Sequence, residues 1–271
     1  MRFISRHPSR GGSLLLALLP LLLLALAYGT ASSLRLAENP GDRLLPSLAQ
    51  MTDAVVRLGF SEDARTGEYL LWSDTLASLL RLGLGLGIAA VASLVLGIAA
   101  GVFPLLRAPL SPLLAVASMV PPLAILPILF IVFGLDELSK MMLIVIGITP
   151  LLARELEQRA REIPSEVLIK AQTLGANSWT LVLRVVLPQL LARLLVSLRL
   201  MLGAAWLFLI SAEAISATEG LGYRIFLVRR YMAMDVILPY VLWITLLAWL
   251  MDWGLRVLHR RCFPWSEGAR P

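Results

Sequence analysis

Few residues of this sequence could carry out chemistry, and they do not gather into a reactive set. His259 and Cys262 lie close together, but the chain has only one other histidine, His7, and no second cysteine, which leaves too few ligands for a convincing zinc site. A phosphate-binding loop needs a Gly-rich turn with lysine before Ser or Thr, and neither Lys140 nor Lys170 follows a glycine. The sequence therefore predicts a protein that is not an enzyme and binds no cofactor itself.

Glu213 is the one acidic residue well inside an apolar run. A carboxylate in a membrane is costly and is a functional candidate by default. It could contact a solute, or it could have a structural role, which we favour, as an acceptor of hydrogen bonds from neighbours. The neighbours considered are Ser211, Ser216 and Thr218.

Pro121 and Pro122 interrupt another apolar run. The break in backbone hydrogen bonding that they cause is tolerated at membrane depth where protein or a water-filled cavity covers it. We therefore expect the two prolines either to line a translocation pathway together with Glu213 or to form a structural kink.

Composition indicates the elements that must position these residues. Of the 271 residues, 58% are hydrophobic and 15% are charged, whereas soluble domains carry about a quarter charged residues. The net charge of +6 does not predict nucleic acid as a partner, because the arginines stand in short clusters beside apolar runs, where they act as topology signals. The chain is predicted to be an integral, multi-pass membrane protein.

Six apolar runs predict an all-α helical bundle with six membrane spans. A spanning helix needs about 20 residues, and the fourth run is shorter, so it crosses only if Lys140 and Arg154 extend their charged ends to the two surfaces and the helix continues to Leu156. The predicted spans are residues 11–34, 82–106, 108–135, 141–153, 200–218 and 236–251, the last extended to 255.

The arginines predict that both termini are cytoplasmic, because basic residues favour that side. The segment 35–74 carries seven Asp or Glu against four Arg and is placed outside. Only Arg224, Arg229 and Arg230 contradict the rule. The residues on the basic side are Arg2, Arg6, Arg10, Arg107, Arg154, Arg159, Arg161, Lys170, Arg184, Arg193, Arg256, Arg260 and Arg261.

The N-terminus allows an alternative interpretation. Its basic start, its Leu-rich run and the sequence Ala25-Leu26-Ala27 resemble a cleavable signal peptide. We favour a retained span, because the uncharged run continues to Leu34 and cleavage would leave five spans with the N-terminus outside.

Between the first two spans we expect two short surface helices, from Ser47 to Leu58 and from Gly67 to Leu80. Glycines in the second span predict close packing with a neighbouring helix inside the bundle; they are Gly83, Gly85, Gly87, Gly97 and Gly101. The predicted segments are an N-terminal span (1–34), an outer segment (35–74), a transmembrane domain (75–257) that contains the loop 164–188, and a cytoplasmic tail (258–271).

A polar loop, residues 164–188, joins the fourth and fifth spans. The fourth span is expected to continue past the membrane as a helix with i,i+4 pairs between Glu155 and Arg159 and between Glu157 and Arg161. Pro164 ends this helix, and Ser165 can cap the next one.

That helix is expected to end at Gly175, which readily takes a left-handed conformation. Asn177 or Ser178 can cap a further helix, and Pro188 precedes the fifth span. Trp179, Val182, Leu183 and Val186 fall at helical spacing and are predicted to share one face. The result is two short helices joined by a glycine turn, a shape that could dock into a groove.

This loop resembles the cytoplasmic signature of permeases of ATP-binding-cassette (ABC) importers: Glu-Ala-Ala, three residues, Gly, nine residues, Ile, one residue, Leu-Pro. The chain departs from that signature at Ile169 and Lys170, where the family has an acidic residue followed by alanine. The positions in register are Ala171, Gly175, Val185, Leu187 and Pro188.

Four segments are similar to the nitrate, sulfonate and taurine group of these permeases, and the resemblance covers about residues 75–257. They are LASLLRLGLG (76–85), MVPPLAILPILFIVFGL (119–135), TLGANSWTLVLRVVLP (173–188) and SAEAISATEGLGYRI (211–225).

The resemblance implies a type I importer transmembrane domain in a bacterial inner membrane. Two permease chains, identical or related, would surround a pathway, two ATPase subunits would use ATP and Mg, and a periplasmic binding protein would deliver the solute. Membrane lipid is a further expected contact. The residues expected to couple to the ATPase are Lys170, Ala171, Gly175, Ala176, Trp179, Leu187 and Pro188.

Two other classes are weaker alternatives. A secondary transporter driven without ATP would typically show an inverted repeat with broken helices in both halves, and only the third span is clearly broken. A membrane-embedded enzyme would need a Ser/His, metal or paired-carboxylate set in the spans, and the sequence offers none.

Overall fold

The computed structural model describes residues 9–39, 41–64 and 67–266, and these residues form helices without a β-strand. The all-α fold class is therefore confirmed for this part of the chain; Arg2, Arg6, His7 and residues 267–271 lie outside it. The α-helices are α1 Arg10–Glu38, α2 Leu48–Phe60, α3 Leu70–Val102, α4 Pro104–Ala117, α5 Leu126–Phe133, α6 Glu137–Arg161, α7 Ser165–Thr173, α8 Ser178–Leu181, α9 Leu187–Ser216, α10 Leu221–Arg229 and α11 Met234–Cys262.

The chain divides into two compact units, residues 1–69 with 228–240, and residues 70–227 with 241–271. In the first unit, the Tyr28 hydroxyl at the end of α1 donates to the Pro46 carbonyl at 2.7 Å. Ser47 then caps α2 in a reciprocal capping box with Gln50, which confirms the predicted helix start. In the linker between the two helices, the Leu44 amide and then the Arg35 guanidinium lower the pKa of the Asp42 carboxyl.

The second unit begins with α3, which is longer at its start than predicted. The expected surface helix from Gly67 to Leu80 is wrong, because residues from Leu70 onward belong to this one continuous helix. The polar residues of this stretch favoured an exposed position, but Asp74 and Ser78 are fully buried and hydrogen-bonded. Pro104 begins α4 at its first turn, so the second span also ends before the predicted Leu106.

Glycines of α3 hold it against α6. A methyl group added at Gly85 would lie 3.0 Å from Ile144, one at Gly97 would lie 2.6 Å from Leu156, and one at Gly101 would meet Ala160. All three contacts have the same sequence offset, so the two helices run parallel in register. The prediction of close internal packing is confirmed for these three glycines, whereas Gly83 and Gly87 face open space.

Parallel packing requires the segment between α3 and α6 to return along the bundle. It does so as α4 and α5, which are joined through a 3-10 turn at Pro122–Ile125 with a bend of 85°. Along α6, Ser111 contacts Glu157, Ser118 contacts Arg154 and Pro122 lies against Gly147. The order of these contacts shows that α4 runs antiparallel to α6.

Helices α9 and α11 complete the second unit. The α9 helix runs antiparallel to α3 and α6, since its last turns meet Arg81, near the start of α6. From Val241 onward, α11 runs the other way, because Trp243 bonds to Thr75 and Asp252 pairs with Arg199. The loop 162–186 and the end of α11 therefore lie at one end of this unit, and the start of α6 lies at the other.

Four helices of the described residues, α1, α3, α8 to α9 and α11, are long and apolar enough to cross a membrane, and the bent pair α4–α5 raises the number to five. The predicted fourth span falls in α6, which is not among them because charged residues occupy both its ends. Its middle is nevertheless enclosed by the bundle, with Leu143, Ile144, Ile148 and Leu152 fully buried.

The contact between α3 and α6 can be tested at two glycines of the same helix. Gly97→Ala should lower the free energy of unfolding by about 1–3 kcal/mol, because the new methyl overlaps Leu156. Gly87→Ala faces open space and should raise it by up to about 1 kcal/mol, the helix propensity gain. Thermal unfolding of the two purified variants in detergent measures the difference, and equal stability would contradict the proposed contact.

Candidate functional site

The loop 164–188 folds as two short helices across a glycine turn, as predicted. After α7, Gly175 takes a φ of 86°, and the Ala176 amide donates to the Ala171 carbonyl at 3.0 Å. Asn177, one of the two expected caps, accepts from the Thr180 amide at 2.8 Å. The helix before Gly175 starts differently from the prediction, because Pro164 occupies the cap position and Ser165 is the first helical residue.

The predicted apolar face of the second short helix is wrong. Residues Val182–Val186 form a π-helical turn, which widens the helix and changes the angular spacing of its side chains. Val182 and Val186 are buried at 6% and 1% exposure, whereas Trp179 and Leu183 are exposed at 72% and 55%. The loop therefore divides its apolar residues between the bundle and the solvent.

The exposed side of this loop is apolar where a loop in water would be polar. Leu174 is 80% exposed, Trp179 72% and Ile169 57%. Lys170 and Gly175 are also exposed, and four further coupling candidates, Ala171, Ala176, Leu187 and Pro188, are half-buried. A group of exposed aromatic and aliphatic side chains is typical of a protein contact surface.

Just before this loop, the charged end of α6 agrees only in part with the predicted pairs. Arg159 binds Glu155 at 3.2 Å, as expected, and also binds Glu162 at 2.9 Å. The predicted pair of Glu157 with Arg161 is not formed. Glu157 is buried and accepts a hydrogen bond from Ser111 of α4 instead.

At the opposite end of the unit, a buried ion-pair network joins three helices. Arg81 of α3, only 3% exposed, donates to Glu213 of α9 at 2.8 Å and to Glu137 of α6 at 2.9 Å. Lys140 also binds Glu137, at 2.7 Å. A cation at the centre of several carboxylates is the arrangement that makes burial of these charges tolerable.

Glu213 has further partners within this network. It accepts a hydrogen bond from the Ser78 hydroxyl and one from the Gly222 amide, both at 2.8 Å. The expected partners Ser211 and Ser216 bond instead to backbone carbonyls of their own helix. The preferred structural role of Glu213 is supported by these contacts, although the identity of its neighbours was wrong.

The loop before α10 closes over the network. Gly220 has a φ of 125°, and a methyl group there would lie 2.6 Å from a Glu213 oxygen and 2.7 Å from Arg81, so only glycine fits. Its amide donates to Asp74 at 2.9 Å, and Asp74 in turn binds Arg224 at 2.8 Å. Arg81 and Arg224 are thus both engaged in internal ion pairs.

The three pathway candidates do not form one site. Pro121 and Pro122 lie at the bend between α4 and α5, where Pro122 contacts the region of Gly147. Glu213 lies at the level of Glu137. Glu137 is about 15 Å from Gly147 along α6, at 1.5 Å per residue. The sequence did not identify Glu137, Ser78 or Glu219, whose carboxylate lies 3.6 Å from Arg81, as members of the network. For the two glutamates, the only signal was that the charges beside separate apolar runs have opposite signs.

The two sites differ in character: the ion pairs hold helices together, whereas the loop 164–188 exposes apolar side chains. Among the described residues, no group of three or more His, Cys, Asp or Glu could hold a metal ion. The carboxylates of the network are occupied by Arg81, Lys140 and backbone amides, so none stands ready as a general base.

Comparisons with known proteins agree with these features. Residues 93–263 match the family described as binding-protein-dependent transport system inner membrane component. The taurine transport system permease protein TauC of Escherichia coli is 37% identical over 195 residues, 72% of this chain and 71% of that protein. The putative aliphatic sulfonates transport permease protein SsuC of Bacillus subtilis is 29% identical over 216 residues, which are 80% of this chain and 78% of that protein.

Two further comparisons are with a relative named for another solute and with a solved structure of similar fold. The bicarbonate transport system permease protein CmpB of Synechococcus elongatus is 33% identical over 197 residues, which are 69% of this chain and 70% of that protein. A structure of the MetNI methionine ABC transporter in an inward-facing conformation matches with a TM-score of 0.63 at 20% identity and covers 74% of this chain and 99% of that one. At this identity the structural match supports the fold alone.

The ion-pair network predicts a large loss of stability when its central cation is removed. Arg81→Ala should lower the free energy of unfolding by about 3–5 kcal/mol, because Glu213 is left buried without a counter-charge. Arg57→Ala, at an exposed position of α2, serves as the matched control and should have little effect.

Adding Glu213→Gln to the Arg81→Ala variant should recover part of the loss, since the unpaired charge is then gone. Unfolding in detergent, followed by tryptophan fluorescence, measures the free energy of unfolding. The four proteins compared are the unchanged protein, Arg81→Ala, Arg57→Ala and the double variant Arg81→Ala/Glu213→Gln. An Arg81→Ala protein as stable as the Arg57→Ala control would refute the structural role of the network.

Proposed function

Because this chain belongs to the family of binding-protein-dependent transport system inner membrane components, we propose that it is the permease subunit of an ATP-driven importer that works by alternating access. It is a non-catalytic transport component, as its relatives are. The observation that carries the proposal is the exposed apolar surface of the loop 164–188, where Leu174 and Trp179 are 80% and 72% exposed.

Six spans are proposed, with α6 as the fourth. Helix α6 has 25 residues and is therefore about 37 Å long, enough to cross roughly 30 Å of hydrocarbon. A helix enclosed by protein needs no uniformly apolar surface, because its neighbours rather than lipid surround it. The six spans are α1, α3, the bent pair α4–α5, α6, α9 and α11.

Orientation follows from the charges at the two ends of the second unit. The loop end carries Arg154, Arg161, Lys170 and Arg184, and this excess of basic residues favours the cytoplasm. The loop then faces ATPase subunits in the cytoplasm, while the ion-pair network lies towards the outside. For a bacterial cell, the proposed location is the inner membrane, with both termini cytoplasmic.

Energy for transport is proposed to come from two partner ATPase subunits that bind ATP and Mg. When they close, they push on the loop 164–188. The push tilts α6 and α9, which flank this loop directly in the chain. A second permease copy, identical or related, completes the pathway, and a periplasmic binding protein delivers the solute. The exposed apolar side chains of the loop supply the contact through which the push acts.

The solute proposed is a small sulfonate or a related nitrogen or sulfur compound. Relatives named for taurine and for aliphatic sulfonates support this choice. The relative named for bicarbonate supports a wider proposed range that includes nitrate and other small oxyanions.

Gly175→Pro should uncouple ATP hydrolysis from transport. Proline fixes φ near −65°, whereas Gly175 has a φ of 86°, so the angle between the two short helices must change. ATP-driven uptake of taurine by proteoliposomes that contain the complete transporter should be lost, while the variant still reaches the membrane. Gly67→Pro is the control, because it also replaces a positive-φ glycine but lies outside the loop. Normal uptake by the Gly175→Pro variant would count against the coupling role.

Trp179→Ala should weaken binding of the ATPase subunit by about 30-fold or more, as expected for a buried aromatic anchor at an interface. Trp253→Ala removes a tryptophan of α11 with 52% exposure and should leave the affinity unchanged. Titration of purified permease in nanodiscs with the labelled ATPase subunit measures both. Equal affinities for the two variants would show that Trp179 is outside the interface.

A further inference from the structure

A polar cleft opens between α4 and α6 near the loop end of the second unit. Its volume is about 720 Å³, and Ser111, Arg154, Glu157, Gln158 and Arg161 are among the residues that line it. Neither the ion-pair network nor the coupling surface includes this cleft. Its charges allow an inference about what it binds.

Only part of the charge around the cleft is neutralised within the protein. Glu155 and Glu162 share Arg159 as their counter-ion, at 3.2 and 2.9 Å. Glu157 has no cationic partner among the described residues, although it is only 6% exposed, and its one hydrogen-bond donor is the neutral Ser111 hydroxyl. A buried carboxylate without a counter-charge is costly, so this position favours a bound cation.

The cleft also presents positive charge. Arg154 and Arg161 lie three residues before and four residues after Glu157, so they share its side of α6, and both are exposed. Arg154 donates to the neutral Ser118 hydroxyl at 2.8 Å, which leaves its charge uncompensated. The cleft thus combines one buried negative group with two accessible guanidinium groups, which are well suited to bind an oxyanion.

We propose that this cleft binds the transported solute as a zwitterion, with the ammonium group of the solute on Glu157 and its sulfonate on Arg154 and Arg161. This inference rests on the proposed importer function and narrows its solute to amino sulfonates such as taurine. A plain alkanesulfonate, nitrate or bicarbonate offers no cation to Glu157. The cleft lies near the loop end of the second unit, which the proposed orientation directs towards the cytoplasm.

The test uses a reporter thiol in the cleft. Cys262 is the single cysteine of the chain and is exposed, so Cys262→Ser combined with Gln158→Cys leaves one thiol on the cleft wall. The nucleotide-free permease–ATPase complex is labelled with a charged maleimide at increasing taurine or ethanesulfonate concentrations. Labelling of Cys262 in the otherwise unchanged protein is the control and should be insensitive to both compounds.

Taurine should protect the reporter at about tenfold lower concentration than ethanesulfonate, which is the gain expected from one charge-assisted pair. Glu157→Gln should abolish the difference by weakening taurine alone, whereas Glu155→Gln should preserve it because Arg159 retains Glu162. Arg161→Gln should weaken both compounds equally. Co-purification of the ATPase confirms that each variant is folded.

With Glu157 intact, equal protection by the two compounds, or protection by neither, would overturn the zwitterion site. This arm of the test needs no substitution at a buried position. Failure of the importer proposal is recognised separately, by the absence of ATP-driven uptake in proteoliposomes with the binding protein. Uptake of sulfonates without selectivity for the amino group would be consistent with the importer proposal and would refute only the zwitterion site in the cleft.

Discussion

The close contact between α3 and α6 determines the architecture of the second unit. Because Gly85, Gly97 and Gly101 have no side chain, the two helices approach along most of their length in parallel register. Two consecutive elements that run parallel need a return path, which α4 and α5 provide. The bend at Pro122–Ile125, the enclosed position of α6 and the location of the loop 162–186 at one end all follow from this contact.

The charged groups of the second unit are arranged around the same contact. At one end, Arg81 compensates the carboxylates of Glu137 and Glu213, so that three helices are joined where apolar packing alone would not specify their register. At the other end, the charges of α6 meet solvent and a cleft. The ion pairs join the helices at one end, which is consistent with the proposed permease, in which movement begins at the loop 164–188 of the other end.

Much of the fold could be predicted because hydrophobic runs and turn residues act locally. The start of α2 at Ser47, the left-handed Gly175 and the cap at Asn177 depend on neighbours within a few residues. The errors at residues 70–80 and in the partners of Glu213 and Glu157 occurred where these partners come from distant segments. Residues 70–80 were predicted to be a surface helix because Asp74 and Ser78 are polar. The bonds that allow their burial come from far along the chain, from Gly220, Leu221 and Glu213.

The amino-acid sequence by itself determined the helical class, the positions of the apolar segments, the loop 164–188 with its glycine turn, and the family resemblance, since each depends on composition or short spacing. Only the tertiary structure decided that Glu213 pairs with Arg81, that Glu157 lacks a cation and that Val182–Val186 form a π-helical turn. These features depend on which side chains meet across the bundle. Because burial of a charge is costly, its environment depends on which side chains the fold brings close to it. The spacing of residues in the sequence does not give the distance between side chains of different helices.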